Sequence, residues 1–148
     1  MKVFCSYAFT GEDETLLRER MTGLRNLFQE LSIDYYINLF LPEWQAMMAR
    51  SATGGEFVRA AIKEMELCDT VLVIVSSDRR SEGMLMEVGA AVAMGKNIVL
   101  AQHTSAQGKS YLQTVAACTY TWETDRELLQ NTAEYFAKHI DLSHILDQ

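Results

Sequence analysis

The chain is short of cysteine, proline and long apolar runs, and each scarcity removes a class of protein. Its three cysteines, Cys5, Cys68 and Cys118, stand far apart, are odd in number and form no Cys-x-x-Cys pair. That spacing argues against a disulfide framework and against a zinc site. No segment approaches the ~20 apolar residues that cross a bilayer. No basic block occurs, and the net charge is −7, so binding to nucleic-acid backbones or acidic membranes is not expected. A small nucleotide needs only a local pocket and stays open as a ligand. The start Met1-Lys2-Val3-Phe4 leads straight into a strand-like run and lacks the apolar stretch of a signal peptide. A cytoplasmic location is therefore the expectation. Repeats and low-complexity stretches are missing too. At 148 residues, the expectation is one domain spanning the whole length.

What is present is an alternation of strand and helix patterns. Lys2 to Tyr7 reads as a strand. Thr10-Gly11-Glu12-Asp13 is a turn in which Thr10 followed three residues later by an acid suggests a helix N-cap. Leu17, Met21, Leu24, Phe28 and Leu31 then recur at helical spacing, which predicts a helix from Glu14 to Leu31. Ile33 to Ile37 reads as a second strand. Residues 39 to 55 break the rhythm with the only proline, Pro42, then Trp44, Met47, Met48 and Gly54-Gly55. An irregular segment of that length reads as a binding loop or lid with room for a short helix.

A second long helix is predicted from Glu56 to Leu67. Thr70 to Val75 is continuously apolar, as in a strand buried on both faces of a parallel sheet. The helix carrying Glu87 follows, then a strand from Asn97 to Ala101 and a polar loop from His103 to Lys109. A short helix through Leu112, a strand from Cys118 to Trp122 and a helix from Asp125 to His139 close the pattern. The alternation predicts an α/β fold of Rossmann-like, flavodoxin-like type. Its five mostly parallel strands run in the order 2-1-3-4-5, with helices on both faces.

In such a sheet the carboxyl ends of the strands form the ligand edge. Tyr7, Ala8 and Phe9 follow the first strand, Ser76, Ser77 and Asp78 the third, and Gln102 and His103 the fourth. Glu87 follows the third strand in a helix otherwise made of Met, Val, Gly and Ala. A carboxylate there is costly to bury without a partner or a task. Two readings stand: a capped or paired packing helix, or a reactive group at the mouth of the sheet. The glycines form neither G-x-G-x-x-G nor a P-loop, and no Ser-His-Asp or Cys-His arrangement is present. His103 is either a ligand contact or a solvated loop residue.

The stretch Ser81-x-Gly83-x-x-x-Glu87-x-Gly89-x-Ala91 sits between Cys68-Asp69 with its buried strand and Gly95-Lys96. Together with Val3-Phe4-Cys5, it resembles the nucleoside 2-deoxyribosyltransferase-like superfamily, which includes the deoxynucleoside 5′-monophosphate N-glycosidases. The likeness covers roughly residues 2 to 101. It implies cleavage of the N-glycosidic bond of a nucleoside or its 5′-monophosphate, by hydrolysis or base transfer, with Glu87 as the nucleophile. A carboxylate suits that task, because positive charge builds on the sugar ring as the base departs. Neither a metal nor an organic cofactor is implied. A homodimer or larger homo-oligomer is, since partner subunits often complete these sites.

The same resemblance assigns further roles. Transferases acting on free nucleosides usually carry Asp where this chain has Ser81. The monophosphate N-glycosidases carry Ser, so Ser81 points to a phosphorylated substrate, and it reads equally well as a helix N-cap. Arg79 and Arg80 are candidate phosphate holders or solvated loop residues. Tyr7 is expected to orient Glu87 through its hydroxyl, the other reading being a packed aromatic. Ser6, Phe9, Ser77, Gly83 and His103 complete the expected substrate lining. The family acid that assists the leaving base falls at Ala61, which leaves Glu64, one turn on, or Asp78 from the loop to take its place. The opening Phe4-Cys5-Ser6-Tyr7 followed by Gly11-Glu12-Asp13 also resembles TIR domains, some of which cleave NAD at its ribosyl bond. A catalytically silent nucleotide-binding or interaction module is the remaining alternative.

Overall fold

The computed structural model describes residues 1–106, 108 and 110–146. Five parallel strands, β1 (Lys2–Tyr7), β2 (Asp34–Tyr36), β3 (Thr70–Val75), β4 (Asn97–His103) and β5 (Cys118–Trp122), form a sheet in the order β2-β1-β3-β4-β5. Six helices connect and cover them: α1 (Glu14–Glu30), α2 (Pro42–Ala49), α3 (Gly54–Met65), α4 (Glu82–Ala93), α5 (Tyr111–Val115) and α6 (Asp125–Leu146). The predicted Rossmann-like order is the observed one. Gln107 and Lys109, part of the expected polar loop, lie outside the described residues.

The pleat divides the core, because successive side chains of a strand point to opposite faces. Val3, Cys5 and Tyr7 of β1 join Leu72, Ile74, Val99 and Ala101 beneath Leu17, Met21, Leu24 and Phe28 of α1 and Phe136 of α6. Phe4, Val71, Val73, Ile98 and Leu100 lie on the other face, against Ala61 and Met65 of α3 and Met84, Val88 and Ala91 of α4. Both faces of the central strands are thus covered, which is why Val71 to Val75 is apolar at every position.

Several boundaries differ from expectation, each for a local reason. Asp13, rather than Thr10, caps α1, its Oδ1 accepting from the Leu16 amide at 3.0 Å. Helix α3 begins at Gly54, two residues early, because Thr53 and Glu56 form a reciprocal capping box: Glu56 N donates to Thr53 Oγ1 at 3.2 Å, and Thr53 N to Glu56 Oε2 at 2.6 Å. Gly54-Gly55 hid that start, since glycine argues against a helix. The segment read as an irregular lid is largely helical: a 3₁₀ turn at Asn38–Phe40 leads into α2, with Pro42 in its first turn. Strand β4 runs on to His103, so that residue ends a strand instead of opening a loop.

Candidate active site

The strand order reverses between β1 and β3, and open α/β sheets place ligands at such a switch point. Two loops meet there. Ser76 Oγ, just past β3, donates to Glu12 Oε1 at 3.1 Å, and Arg79 Nη1 donates to the Gly11 carbonyl. Gly11 has φ +81°, a conformation that glycine adopts without strain.

Helix α4 starts beside this junction. Ser81 caps it, its Oγ accepting from the Met84 amide at 3.3 Å. The N-cap reading of Ser81 therefore holds, and it leaves the hydroxyl proton free to donate elsewhere. Met84, Val88 and Ala91 face the sheet. Glu87 lies at the margin of that stripe, and its Oε1 accepts from Ser6 Oγ on β1 at 3.4 Å. No cation pairs with it among the described residues. Burial raises its carboxyl from 4.5 to about 7, against the smaller lowering effect of the Ser6 hydrogen bond. Near neutral pH the side chain is therefore poised between acid and carboxylate. Gly83, four residues earlier on the same helical flank, has open space where a side chain would stand.

Tyr7 is placed differently from the sequence reading. Its neighbour Ser6 shares the face of Phe4 and α4, so the pleat turns Tyr7 to the α1 face. There the Tyr7 hydroxyl donates to Asn38 Oδ1 and accepts from the Leu39 amide at 3.4 Å. Burial holds its phenol well above the ordinary range. Ser6, not Tyr7, holds Glu87.

The two acids expected to help a leaving base are also placed elsewhere. Glu64 pairs with Lys2 Nζ at 3.9 Å, at the start of β1, and its charge also acts on the Tyr36 phenol. Asp78 points across the sheet toward the β4–α5 loop, its Oδ1 3.9 Å from the position of a Cβ on Gly108. With Ser77, Arg79, Arg80 and Ser81 it lines a cavity of about 660 Å³ on the flank of α4 away from Glu87. His103 is occupied: its Nδ1 lies 2.7 Å from Ser105 Oγ, its Nε2 3.0 Å from the Glu123 carbonyl, and its ring meets Trp122 edge-on at 4.7 Å. These bonds hold it at the β5 side, away from Glu87.

Tyr36 and Phe57, which the sequence reading passed over, complete the crevice together with the expected Phe9 and Trp44. Tyr36 of β2 stacks on Phe4 at 4.9 Å. Its phenol is raised by burial and by the nearby carboxylates of Glu64 and Glu87, so it stays protonated as a donor. Phe9 meets Trp44 of α2 edge-on at 5.0 Å, and Trp44 lies 6.2 Å from Phe57 of α3. Three partly exposed rings thus wall the carboxyl edge. Applying the strand-end rule to β2 as well as to β1, β3 and β4 would have picked out Asn38. Strand parity would have chosen Ser6 over Tyr7.

Among the described residues no group of acids, histidines or cysteines is arranged to hold a metal, and no helix is long and apolar enough to cross a membrane.

The profile of a family, nucleoside 2-deoxyribosyltransferase, matches residues 4–138. Among solved structures, the CMP N-glycosidase BcmB of Clostridium botulinum is similar, with 22% identity and a TM-score of 0.62 over 91% of this chain and 99% of that one. A 2-deoxyribosyltransferase of Bacillus psychrosaccharolyticus is similar with 14% identity and a TM-score of 0.54, over 87% of this chain and 90% of that one. A conserved protein of Enterococcus faecalis V583 has 13% identity and a TM-score of 0.53, over 87% and 94%. At such identities these likenesses are of fold. No curated protein matches the chain.

Proposed function

The chain belongs to the nucleoside 2-deoxyribosyltransferase family, enzymes that act on N-glycosidic bonds, and from that premise we propose that Glu87 is the nucleophile that cleaves a nucleoside 5′-monophosphate. The observation that carries this reading is a half-buried carboxylate with no cation among the described residues, its pKa raised to about 7 by desolvation and its one hydrogen bond made to the Ser6 hydroxyl beside the switch point. A structural glutamate would be paired or solvated.

In the reaction, an ionised Glu87 oxygen attacks the anomeric carbon while the bond from that carbon to the base nitrogen breaks. The electron pair leaves with the base. The sugar is then held as an ester of Glu87, which water opens to give the free sugar phosphate and the carboxylate, and the proton that water gives up balances the one taken by the departed base. Ser6 keeps the attacking oxygen oriented. The rings of Phe9, Trp44 and Phe57 give the base a surface to stack on. The 5′-phosphate lies at the start of α4, where backbone amides and the Ser81 hydroxyl offer donors. The CMP N-glycosidase among the similar folds supports a phosphorylated substrate and hydrolysis.

The test is to incubate the protein and its Glu87→Ala variant with nucleosides, their 5′-monophosphates and NAD, and to follow free base by chromatography. Base release from monophosphates that the variant abolishes is expected. Release of nicotinamide alone would replace this reading with a TIR-like one, and binding without turnover would leave an interaction module.

A further inference from the structure

Beyond Ser81 at its rim, the cavity on the far flank of α4 has no part in the reaction above. Leu85, which lines it, and Glu87 are two residues apart, hence about 200° apart round the helix. A sugar over Glu87 therefore lies on the other side of the helix from the Leu85 part of the cavity. Ser81 lies on both approaches: it lines the cavity and stands six residues before Glu87, about 9 Å along the axis. A phosphate at Ser81 sits between the two spaces.

A monophosphate would leave the cavity empty. Its volume of about 660 Å³ is that of a ligand site, since such sites run about 300–1,000 Å³. The lining has two parts. Ser77, Asp78, Arg80 and Ser81 supply polar groups, and Met84, Leu85, Tyr111 and Leu112 supply apolar surface. Arg80 has no ion-pair partner among the described residues. Its charge suits a second phosphate. The Asp78 carboxylate suits ribose hydroxyls, which donate to it, and disfavours a doubly charged terminal phosphate. The apolar surface suits a planar base.

We infer that the cavity binds the second half of a 5′-pyrophosphate-linked dinucleotide whose first half is cleaved at Glu87. This rests on the proposed function for the position of the first phosphate only.

The experiment compares nucleoside 5′-monophosphates with symmetrical 5′,5′-pyrophosphate-linked dinucleotides of the same bases. The protein is used as it stands, together with Leu85→Trp and Thr114→Trp, two exposed wall positions where a bulky ring would fill the cavity. The expected result is a KM at least tenfold lower for the dinucleotide. Either Trp variant should remove that advantage while monophosphate turnover stays within twofold. An equal or higher KM for the dinucleotide, or parallel losses on both substrates, overturns the inference. Titration of the Glu87→Gln protein with the same pairs reads the cavity without chemistry. Tighter dinucleotide binding there supports the inference even if nothing is cleaved, and equal binding sinks it while leaving the monophosphate reaction standing.

Discussion

Ser6 Oγ and Glu87 Oε1 stand 3.4 Å apart, joining the end of β1 to the first turns of α4 across 81 positions of sequence. Among the described residues it is the only hydrogen bond that opposes the effect of burial on Glu87. Its loss should therefore raise the Glu87 pKa further and orient the carboxylate less well.

Ser6→Ala should shift the acid limb of the pH–rate profile upward. The bond is long, so its effect should be near the low end of the roughly 1.5–3 kcal/mol typical for hydrogen bonds to charged groups, or about one pH unit. Activity at pH 6 should fall several-fold, and at pH 8.5 by no more than about twofold. A loss of the same size at every pH would remove the positioning role.

The fold was legible because the apolar strands, the helical spacing and the turns all agreed on one alternation. Glu87 was legible because a lone acid in a helix of small apolar residues stands out. What surrounds it was not. Ser6 and Tyr7 are adjacent, and only the pleat decides which meets α4. Asp78 and Arg79 are adjacent in one loop, yet one points toward Gly108 and the other to Gly11. The count along the helix that chose Glu64 gave it a face without showing that Lys2, at the start of β1, pairs with it. The aromatic wall joins residues 9, 44 and 57, a contact that no local pattern encodes.

Tyr7→Phe should act on the fold rather than on the chemistry. It removes the hydroxyl that ties Asn38 and Leu39 to β1, and leaves those two groups short of a partner. A buried group left unpaired costs about 1–3 kcal/mol, which should appear as a lower denaturant midpoint. The pH–rate profile should keep its position. A moved acid limb would mean that Tyr7 does act on Glu87.

Glu87→Gln should be stabilising, but only above the acid range. The folded carboxyl titrates near 7, above its model-peptide value of 4.5. Below pH 4.5 it is neutral in both the folded and unfolded states. As pH rises from there, the unfolded chain ionises first and gains, so stability declines until the folded group titrates near 7. The whole window is worth up to about 3 kcal/mol. Thermal melts at pH 8 should favour the variant, and the difference should vanish near pH 4. Equal melting at both pH values would show that the carboxylate is well solvated in the folded state.

Trp44→Ala should weaken binding more than chemistry. Stacking of a base on an aromatic ring is worth ~1–3 kcal/mol, so KM should rise at least fivefold with kcat nearly unchanged. Trp44 is only partly buried and its helix α2 buries no residue, so the fold should survive. An unchanged KM would place the base somewhere other than against this wall.

Substitutions at Ser81 separate its two tasks. Asp is as good an N-cap as Ser, so Ser81→Asp should keep α4 intact, whereas Ser81→Ala should cost about 1 kcal/mol of stability. The added carboxylate, however, faces the space proposed for the 5′-phosphate, where like charges repel and the donated hydroxyl proton is gone. Turnover of a nucleoside 5′-monophosphate should drop by roughly two orders of magnitude, equivalent to about 3 kcal/mol. Any turnover of the free nucleoside should be untouched or improved. The ratio of the two rates cancels general damage to the fold, so a ratio that stays constant in Ser81→Asp would take the phosphate away from the start of α4.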